Sequence, residues 1–147
     1  MPVDDFVALQ RLVHQYSDAV NRRDREQWAG CFVDDATWSL FDRTYIGKDA
    51  IVARWEAAMD SLALVVHAEH DGDAWSVDVD RAVGRWYIDE RYRRLEGPAM
   101  LVLGHYDDAY VRTADGWRFA DRALAVSYRG APDLSGSFES PVREHDG

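Results

Sequence analysis

Two carboxylates fall on strand-like faces that are otherwise small or apolar. In the segment 82–95 the residues two apart share one face, and Glu90 is an acid in that row. Asp108 interrupts a similar row in the segment 99–113. Burying a carboxylate without a partner costs several kcal/mol, so each acid needs a cation or a solvated pocket beside it. Both are therefore candidate site residues, and the alternative for both is a structural ion pair with Arg85, Arg112 or Arg122.

His67 is a third candidate. Near pH 7 an imidazole can accept a proton from a carbon next to an acidifying group and then return it. The alternative is a histidine that is hydrogen-bonded within a strand and does no chemistry. His70, three residues on, falls on the opposite face of a strand. A metal site built from these two histidines and Asp71 is therefore not expected.

The aromatic residues predict an apolar cavity. The chain has 6 Trp, 7 Tyr and 5 Phe, and four of them are candidates for a substrate-binding wall: Trp38, Trp55, Trp86 and Tyr106. An apolar cavity with a few convergent polar groups is the usual form of a small-molecule site, although each of these residues could equally be core. The sequence has no Gly-rich phosphate loop and no serine nucleophile elbow. A reaction without a cofactor or metal is the expectation that remains.

Composition narrows the class of protein. The chain has 147 residues, 17 of them basic and 27 acidic, for a formal charge of −10. That length fits one domain, and the acidic surplus disfavours nucleic acid and anionic membranes, which are bound mainly through Lys and Arg. Cys31 is the only cysteine, so an intramolecular disulfide is excluded. The sequence has no run of about 18 apolar residues that could span a membrane, and its first residues lack the basic and then apolar pattern of a signal peptide. A soluble, cytoplasmic protein is therefore expected.

Three helices are predicted in the first part of the chain. The first has apolar residues three and four apart, at Phe6, Leu9, Val13, Tyr16 and Val20. Asp24 and Gln27 resemble a capping pair for a short second helix, which Asp34 and Asp35 would end. Gly47 precedes a third helix, whose inner face is predicted to hold Ile51, Trp55, Met59 and Leu62.

Strands dominate the rest. A first strand is predicted at 36–41, and the pattern turns to period two from about Ala63. Asp115-Gly116 predicts a tight hairpin, and the long strands are placed at 82–95, 99–113 and 117–128. Helices followed by a strand meander predict an α+β domain over 1–130, with three helices on a curved antiparallel sheet. Residues 131–147 are predicted to form a loosely ordered tail.

The order of several motifs resembles a known family. The chain is similar to a SnoaL-like domain of the nuclear-transport-factor-2-like superfamily, in the branch with scytalone dehydratase, bile-acid dehydratase and hexachlorocyclohexane dehydrochlorinase. The resemblance covers about residues 5–128 and implies a cone-shaped α+β barrel open at one end to a small-molecule pocket. The segments that carry it are Tyr16 to Asp24, Trp28, Phe32 to Trp38, Gly47 with Ala50-Ile51, His67, Gly84 to Tyr87, Gly104 to Tyr110 and Asp115 to Phe119.

The resemblance also implies roles for individual residues. Members that eliminate water or halide have a histidine base at the position of His67, paired with an aspartate at the end of the first helix. Here that position holds Asn21, while the tyrosine five residues earlier is kept as Tyr16. A neutral amide can orient an imidazole but does not stabilise an imidazolium as a carboxylate does. Glu90 matches a second polar catalytic position of the dehydratases, and Asp108 matches a substrate-contacting one.

Together these features predict a cofactor-independent lyase, dehydratase or isomerase acting on a polycyclic or aromatic, enolisable small molecule. His67 would be the base and then the acid, Tyr16 would donate a hydrogen bond to the substrate oxygen, and Asn21 or Glu90 would position the imidazole. The alternative is a non-catalytic domain that binds a hydrophobic ligand or serves as an accessory module. Relatives also imply a homodimer or homotrimer that forms through the outer face of the sheet.

Overall fold

A computed structural model describes residues 1–139 of the chain. The helices are α1 (Val3–Arg22), α2 (Arg25–Gly30) and α3 (Lys48–Asp60). The strands are β1 (Phe32–Leu40), β2 (Arg43–Ile46), β3 (Leu62–Ser76), β4 (Arg81–Arg94), β5 (Ala99–Thr113), β6 (Gly116–Gly130) and β7 (Ser137–Phe138). Within this part of the chain, no helix combines the length and apolarity needed to span a membrane.

The three helices form where the apolar spacing and the capping residues predict them. The apolar stripe of α1 is buried from Leu9 to Val20. Asp24 caps α2 by accepting a hydrogen bond from the main-chain N–H of Gln27 at 3.0 Å, which satisfies one of the free donors at a helix start. α3 ends at Asp60, so Leu62 opens β3 and does not extend the inner face of that helix.

The first strand begins four residues earlier than predicted. β1 starts at Phe32, and the acidic pair that was expected to end the second helix, Asp34 and Asp35, lies within the strand with both side chains exposed. The pairing of β1 with β6 shifts register between Phe32 and Thr37, and such an irregularity interrupts the alternation that marks a strand in sequence. β1 then turns into the short strand β2, which the sequence pattern did not predict.

The α+β prediction, with three helices packed on a curved sheet, is confirmed. The strand order is β2-β1-β6-β5-β4-β3, with β7 beside β6, and within residues 1–139 the sheet does not close. Every pair is antiparallel except β1 with β6, which run parallel. The sheet is therefore mixed and not wholly antiparallel as predicted, because β1 lies parallel to β6. β3 forms one of its edges.

A β-bulge and a glycine bend the edge strand. β3 contains one extra residue between His70 and Gly72, and bulges of this kind bend a strand and increase its twist. A Cβ atom at Gly72 would lie 2.4 Å from the ring of Trp86, so only glycine allows the two strands to approach this closely. The bulge also moves the inward-facing positions of β3 from His67 and Glu69 to Ala74.

Part of the predicted tail is paired with the sheet. Ser137 and Phe138 form β7 opposite Arg129 and Tyr128 of β6. The Tyr128 hydroxyl also accepts a hydrogen bond from the main-chain N–H of Gly136 at 2.9 Å. The remainder of that prediction, 140–147, lies outside the described residues.

Candidate functional site

A cavity of about 430 Å³ lies between α3 and the inner face of the sheet. Its volume falls within the range of about 300–1,000 Å³ that is typical of small-molecule sites. Most of its wall is aromatic or aliphatic, including Tyr16, Trp38, Trp55, Tyr92 and Tyr106. Glu90 contributes a carboxylate to this wall.

Glu90 is held in place by His67. The two residues lie directly opposite each other in the antiparallel register of β3 and β4, and opposite side chains on one face have Cβ atoms about 4.5–5.5 Å apart. His67 Nδ1 lies 2.6 Å from Glu90 Oε2. The side chain of Glu90 is 27% exposed and that of His67 only 1%. The carboxylate thus faces the cavity, and the imidazole lies behind it.

A second carboxylate contacts the other side of the imidazole. His67 Nε2 lies 3.2 Å from Oε1 of Glu69, which is itself buried. Burial lowers the pKa of His67, but the hydrogen bonds that its ring donates to Glu69 and Glu90 outweigh that effect and raise the pKa to about 9. At neutral pH His67 is therefore an imidazolium that donates a hydrogen bond from each ring nitrogen.

Arg122 connects this group to Asp108. Its guanidinium donates to both oxygens of Glu69, at 2.8 and 2.6 Å, and its Nε donates to Asp108 Oδ1 at 2.9 Å. All three side chains are fully buried. The pKa values of the two acids, Asp108 and Glu69, are shifted in opposite directions. Burial raises the pKa of Asp108 to about 7 against the pull of Arg122, whereas Arg122 and His67 together outweigh burial and hold the pKa of Glu69 below its ordinary value. Acidic and basic side chains therefore alternate along one row. We call this row the buried charge chain, and its members are Asp108, Arg122, Glu69, His67 and Glu90.

Aromatic rings enclose the cation at the centre of this chain. The Arg122 guanidinium lies 4.1 Å from the ring centroid of Tyr16 and 4.0 Å from that of Tyr106, a geometry that stabilises a desolvated cation. The two phenolic oxygens are 3.4 Å apart, and both tyrosines line the cavity. Burial raises the pKa of Tyr16 and of Tyr106. Both therefore stay neutral and can donate hydrogen bonds at any physiological pH.

Asn21 contacts the main chain of His67 and not its ring. Asn21 Nδ2 donates to the carbonyl oxygen of His67 at 2.7 Å, and Oδ1 accepts from the N–H of the same residue at 2.8 Å. β3 is the edge of the sheet, so the amide takes the place of a neighbouring strand at this point. Asn21 therefore holds the backbone of the strand that carries His67. That it positions the imidazole stays a prediction.

The family follows from comparison with known proteins. The family model described as "SnoaL-like domain" matches residues 2–123. This chain belongs to the SnoaL-like family. No curated protein matches it.

Solved structures share the fold of this SnoaL-like domain. A candidate aromatic ring hydroxylase from Novosphingobium aromaticivorans has a TM-score of 0.84 at 21% identity, over 88% of this chain and 94% of that one. A candidate scytalone dehydratase from the same organism has a TM-score of 0.80 at 22% identity, over 93% of each chain. A type 2 hexachlorocyclohexane dehydrochlorinase, LinA, has a TM-score of 0.79 at 21% identity, over 92% of each chain. These neighbours show that this chain shares their fold.

In this SnoaL-like domain, six of the residues singled out from the sequence lie at the cavity or directly behind it. These residues are Tyr16, Trp38, Trp55, His67, Glu90 and Tyr106. Trp86 does not line the cavity, because it lies four residues before Glu90 on β4 and stacks on Phe6 with 6.2 Å between ring centroids. Asp108 does not line it either, since its carboxylate is taken up by Arg122 and by the Tyr110 hydroxyl. For Asp108 the structure matches the alternative of a structural ion pair.

Sequence reasoning missed two members of the buried charge chain. Glu69 was not considered, although it follows His67 by two residues and therefore shares its face of the strand. Arg122 was considered only as a possible partner of the acids, and not as the cation that joins two of them. Among residues 1–139, no three His, Cys, Asp or Glu side chains are placed to hold a metal ion.

Proposed function

We propose that this SnoaL-like domain is a cofactor-independent lyase or isomerase that removes a proton from carbon in an apolar, enolisable ring compound. The observation that carries the proposal is the Glu90 carboxylate, which lines an otherwise largely apolar cavity and is held by a buried imidazolium. Two solved structures that share its fold are described as a candidate dehydratase and a dehydrochlorinase. Their names support the reaction class and leave the substrate open.

In the proposed step Glu90, and not His67, accepts the proton. Oε2 of Glu90 is occupied by His67, so Oε1 takes the proton from the carbon next to a carbonyl group. The electron pair of the broken C–H bond forms the carbon–carbon double bond of an enolate, and the negative charge moves to the carbonyl oxygen. A phenolic hydroxyl of Tyr16 or Tyr106 donates a hydrogen bond to that oxygen.

Two outcomes are open to the enolate. In an isomerisation, the substrate carries a second carbon–carbon double bond conjugated with the enolate. The protonated Glu90 then returns its proton to the far carbon of that system, and the double bond shifts. In a dehydration, the enolate electrons expel the hydroxyl group on the neighbouring carbon, which takes the proton from Glu90 and leaves as water. Either way the carboxylate is regenerated and no further reactant is needed.

His67 acts on Glu90 as a positioning residue in this proposal. Because both ring nitrogens donate to carboxylates and its pKa is raised to about 9, the imidazole has no free lone pair to serve as the base near pH 7. A fixed positive charge beside Glu90 instead keeps the carboxylate oriented toward the cavity. Glu69 and Arg122 hold the imidazolium from the far side.

Deuterium exchange tests the proposal without knowledge of the natural substrate. Bicyclic ketones such as 2-tetralone and 1-indanone are incubated with the protein in D₂O, and loss of the α-proton signal is followed by NMR. We expect the protein to accelerate exchange, and Glu90→Gln to lower the accelerated rate by about 100-fold or more, as for a positioned acid–base group. Asp89→Asn is the matched control, because it removes the neighbouring charge on the other side of β4. Full activity in Glu90→Gln would exclude Glu90 as the base.

A non-catalytic binding domain is the second candidate. It is favoured by an imidazole with both nitrogens occupied and by an amide, Asn21, where the resembling enzymes have an aspartate. This candidate predicts that the same ketones bind in the cavity while their exchange stays at the background rate. That combination would reject the lyase proposal.

A further inference from the structure

Three arginines lie where the cavity meets solvent. Arg54 of α3, Arg94 at the end of β4 and Arg129 near the end of β6 all line the cavity. Arg94 and Arg129 are exposed and Arg54 is half-buried, whereas the aromatic residues deeper in the wall are buried. The positive charge is therefore concentrated at the mouth.

These guanidiniums are available to bind an anion, because they have no acidic partner in the described part of the chain. Several surface arginines are paired with carboxylates, as Arg85 is with Asp107 at 2.8 Å and Arg25 is with Glu56 at 2.6 Å. Within residues 1–139, no carboxylate lies at ion-pair distance from Arg54, Arg94 or Arg129. A basic mouth on a chain with a formal charge of −10 runs against the overall composition.

Two of the three guanidiniums rest on aromatic rings. Arg129 Cζ lies 4.1 Å from the centroid of Phe41, in the turn between β1 and β2, and Arg54 Cζ lies 5.9 Å from that of Tyr45. Packing a guanidinium on a ring restrains it while leaving its N–H edge free. Such an edge is suited to binding the oxygens of a carboxylate or sulfonate.

From this arrangement we infer that the substrate is an apolar ring compound that carries an anionic oxygen group. This inference rests on the proposed function and specifies its substrate class. The ring system fills the aromatic cavity, and the anionic group binds the arginines at the mouth. Glu90, the acid on the inner wall, repels an anion and so disfavours the reverse orientation. The charges thus place the far end of the ring system, and not the anionic group, beside the proton acceptor.

A pair of dyes that differ mainly by one anionic group tests the inference. The dyes 8-anilinonaphthalene-1-sulfonate and N-phenyl-1-naphthylamine share a ring system, and only the first has a sulfonate. Each is titrated against the folded protein by fluorescence. We expect the sulfonate dye to bind at least about 10-fold more tightly than the neutral dye, as is typical of charge-assisted contacts. Added salt should lower the affinity of the sulfonate dye, because exposed charges are screened.

Substitutions locate the effect. Each of three substitutions at the mouth should lower the affinity for the sulfonate dye by about 2- to 5-fold, the scale of one exposed charge pair. The affinity for the neutral dye should stay within about 2-fold. The substitutions are Arg54→Gln, Arg94→Gln and Arg129→Gln. Arg93→Gln is the matched control, because it removes the same charge from the adjacent residue, which does not line the cavity. It should change neither affinity.

Three results would overturn the inference. They are equal affinity for the two dyes in the native chain, equal loss of sulfonate binding in Arg93→Gln, and no saturable binding of either dye. In each case the exchange experiment on Glu90→Gln still decides the proposed function separately. Retained proton exchange with no preference for the sulfonate dye would show that the reaction class holds and the substrate class does not.

Discussion

The raised pKa of His67 should make the stability of the fold depend on pH. His67 is 3% exposed, and its pKa rises from an ordinary 6.5 to about 9 on folding. The folded state therefore holds the proton more tightly than the unfolded chain. This contribution to stability is fully present below pH 6.5 and is lost as the pH rises through about 9.

The magnitude follows from the two pKa values. One pKa unit corresponds to about 1.4 kcal/mol, so the difference between 6.5 and about 9 corresponds to about 3 kcal/mol of unfolding free energy. Its origin is the pair of carboxylates, Glu69 and Glu90, because burial alone would lower the pKa of His67 and reverse the sign.

Urea unfolding of the native chain and of His67→Gln at pH 6, 7.5 and 9.5 measures this contribution. Glutamine carries no charge, and other titrating groups are present in both chains, so their effects largely cancel in the difference. We expect the difference in unfolding free energy between the native chain and His67→Gln to shrink by about 3 kcal/mol from pH 6 to 9.5. His70→Gln, which removes an exposed histidine, should leave the profile unchanged. An advantage that stays constant or grows with pH would refute the assignment of His67 as a buried imidazolium.

Two further substitutions test the packing around the site. Arg122→Met leaves Glu69 and Asp108 buried without their cation, and should lower the unfolding free energy by about 3–5 kcal/mol in urea, whereas Arg118→Met should cost far less. Gly72→Ala places a Cβ atom 2.4 Å from the ring of Trp86, and should lower stability by about 1–3 kcal/mol through overpacking. Gly30→Ala is its control, since nothing lies within 4 Å of a Cβ atom there. Unchanged melting temperatures in Arg122→Met or Gly72→Ala would contradict these contacts.

The inward positions of β4 and β5 could be predicted from sequence because their pairing is regular. The register between these strands runs without a shift from Arg81 to Arg93. Counting by two therefore places Glu90 and Asp108 on the inner face correctly. In such strands the alternation of side chains follows from backbone geometry alone.

Arg122 could not be placed in the same way, because β6 is irregular. Tyr110 pairs with Phe119 while Ala109 pairs with Asp121, so Ala120 is an extra residue. Counting by two from the buried Phe119 assigns Arg122 to the outer face, and the bulge turns it inward. A bulge leaves little trace in the sequence, since it depends on how the neighbouring strand is paired. The inward position of Arg122 therefore follows from the three-dimensional structure and not from the sequence pattern.

The substitution Asn21→Asp tests the remaining departure from the enzymes that the chain resembles. A carboxylate can accept the N–H of His67 but cannot donate to its carbonyl oxygen, which lies 2.7 Å from Asn21 Nδ2. Losing that bond and facing two oxygens toward each other should cost about 1–2 kcal/mol at pH 7. The added negative charge near His67 should also raise the pKa of its ring, as measured by NMR.

The pH dependence of this cost separates it from a general loss of packing. A protonated aspartic acid can donate again, so folding favours the neutral form and raises the pKa of the new side chain. The loss of unfolding free energy in Asn21→Asp should therefore be small at pH 3–4 and should grow as the pH rises through about 4–6. Asn21→Ala removes both hydrogen bonds and should show a deficit that does not vary in this way. An Asn21→Asp chain as stable as the native one at pH 7 would mean that the amide does not hold the edge of β3.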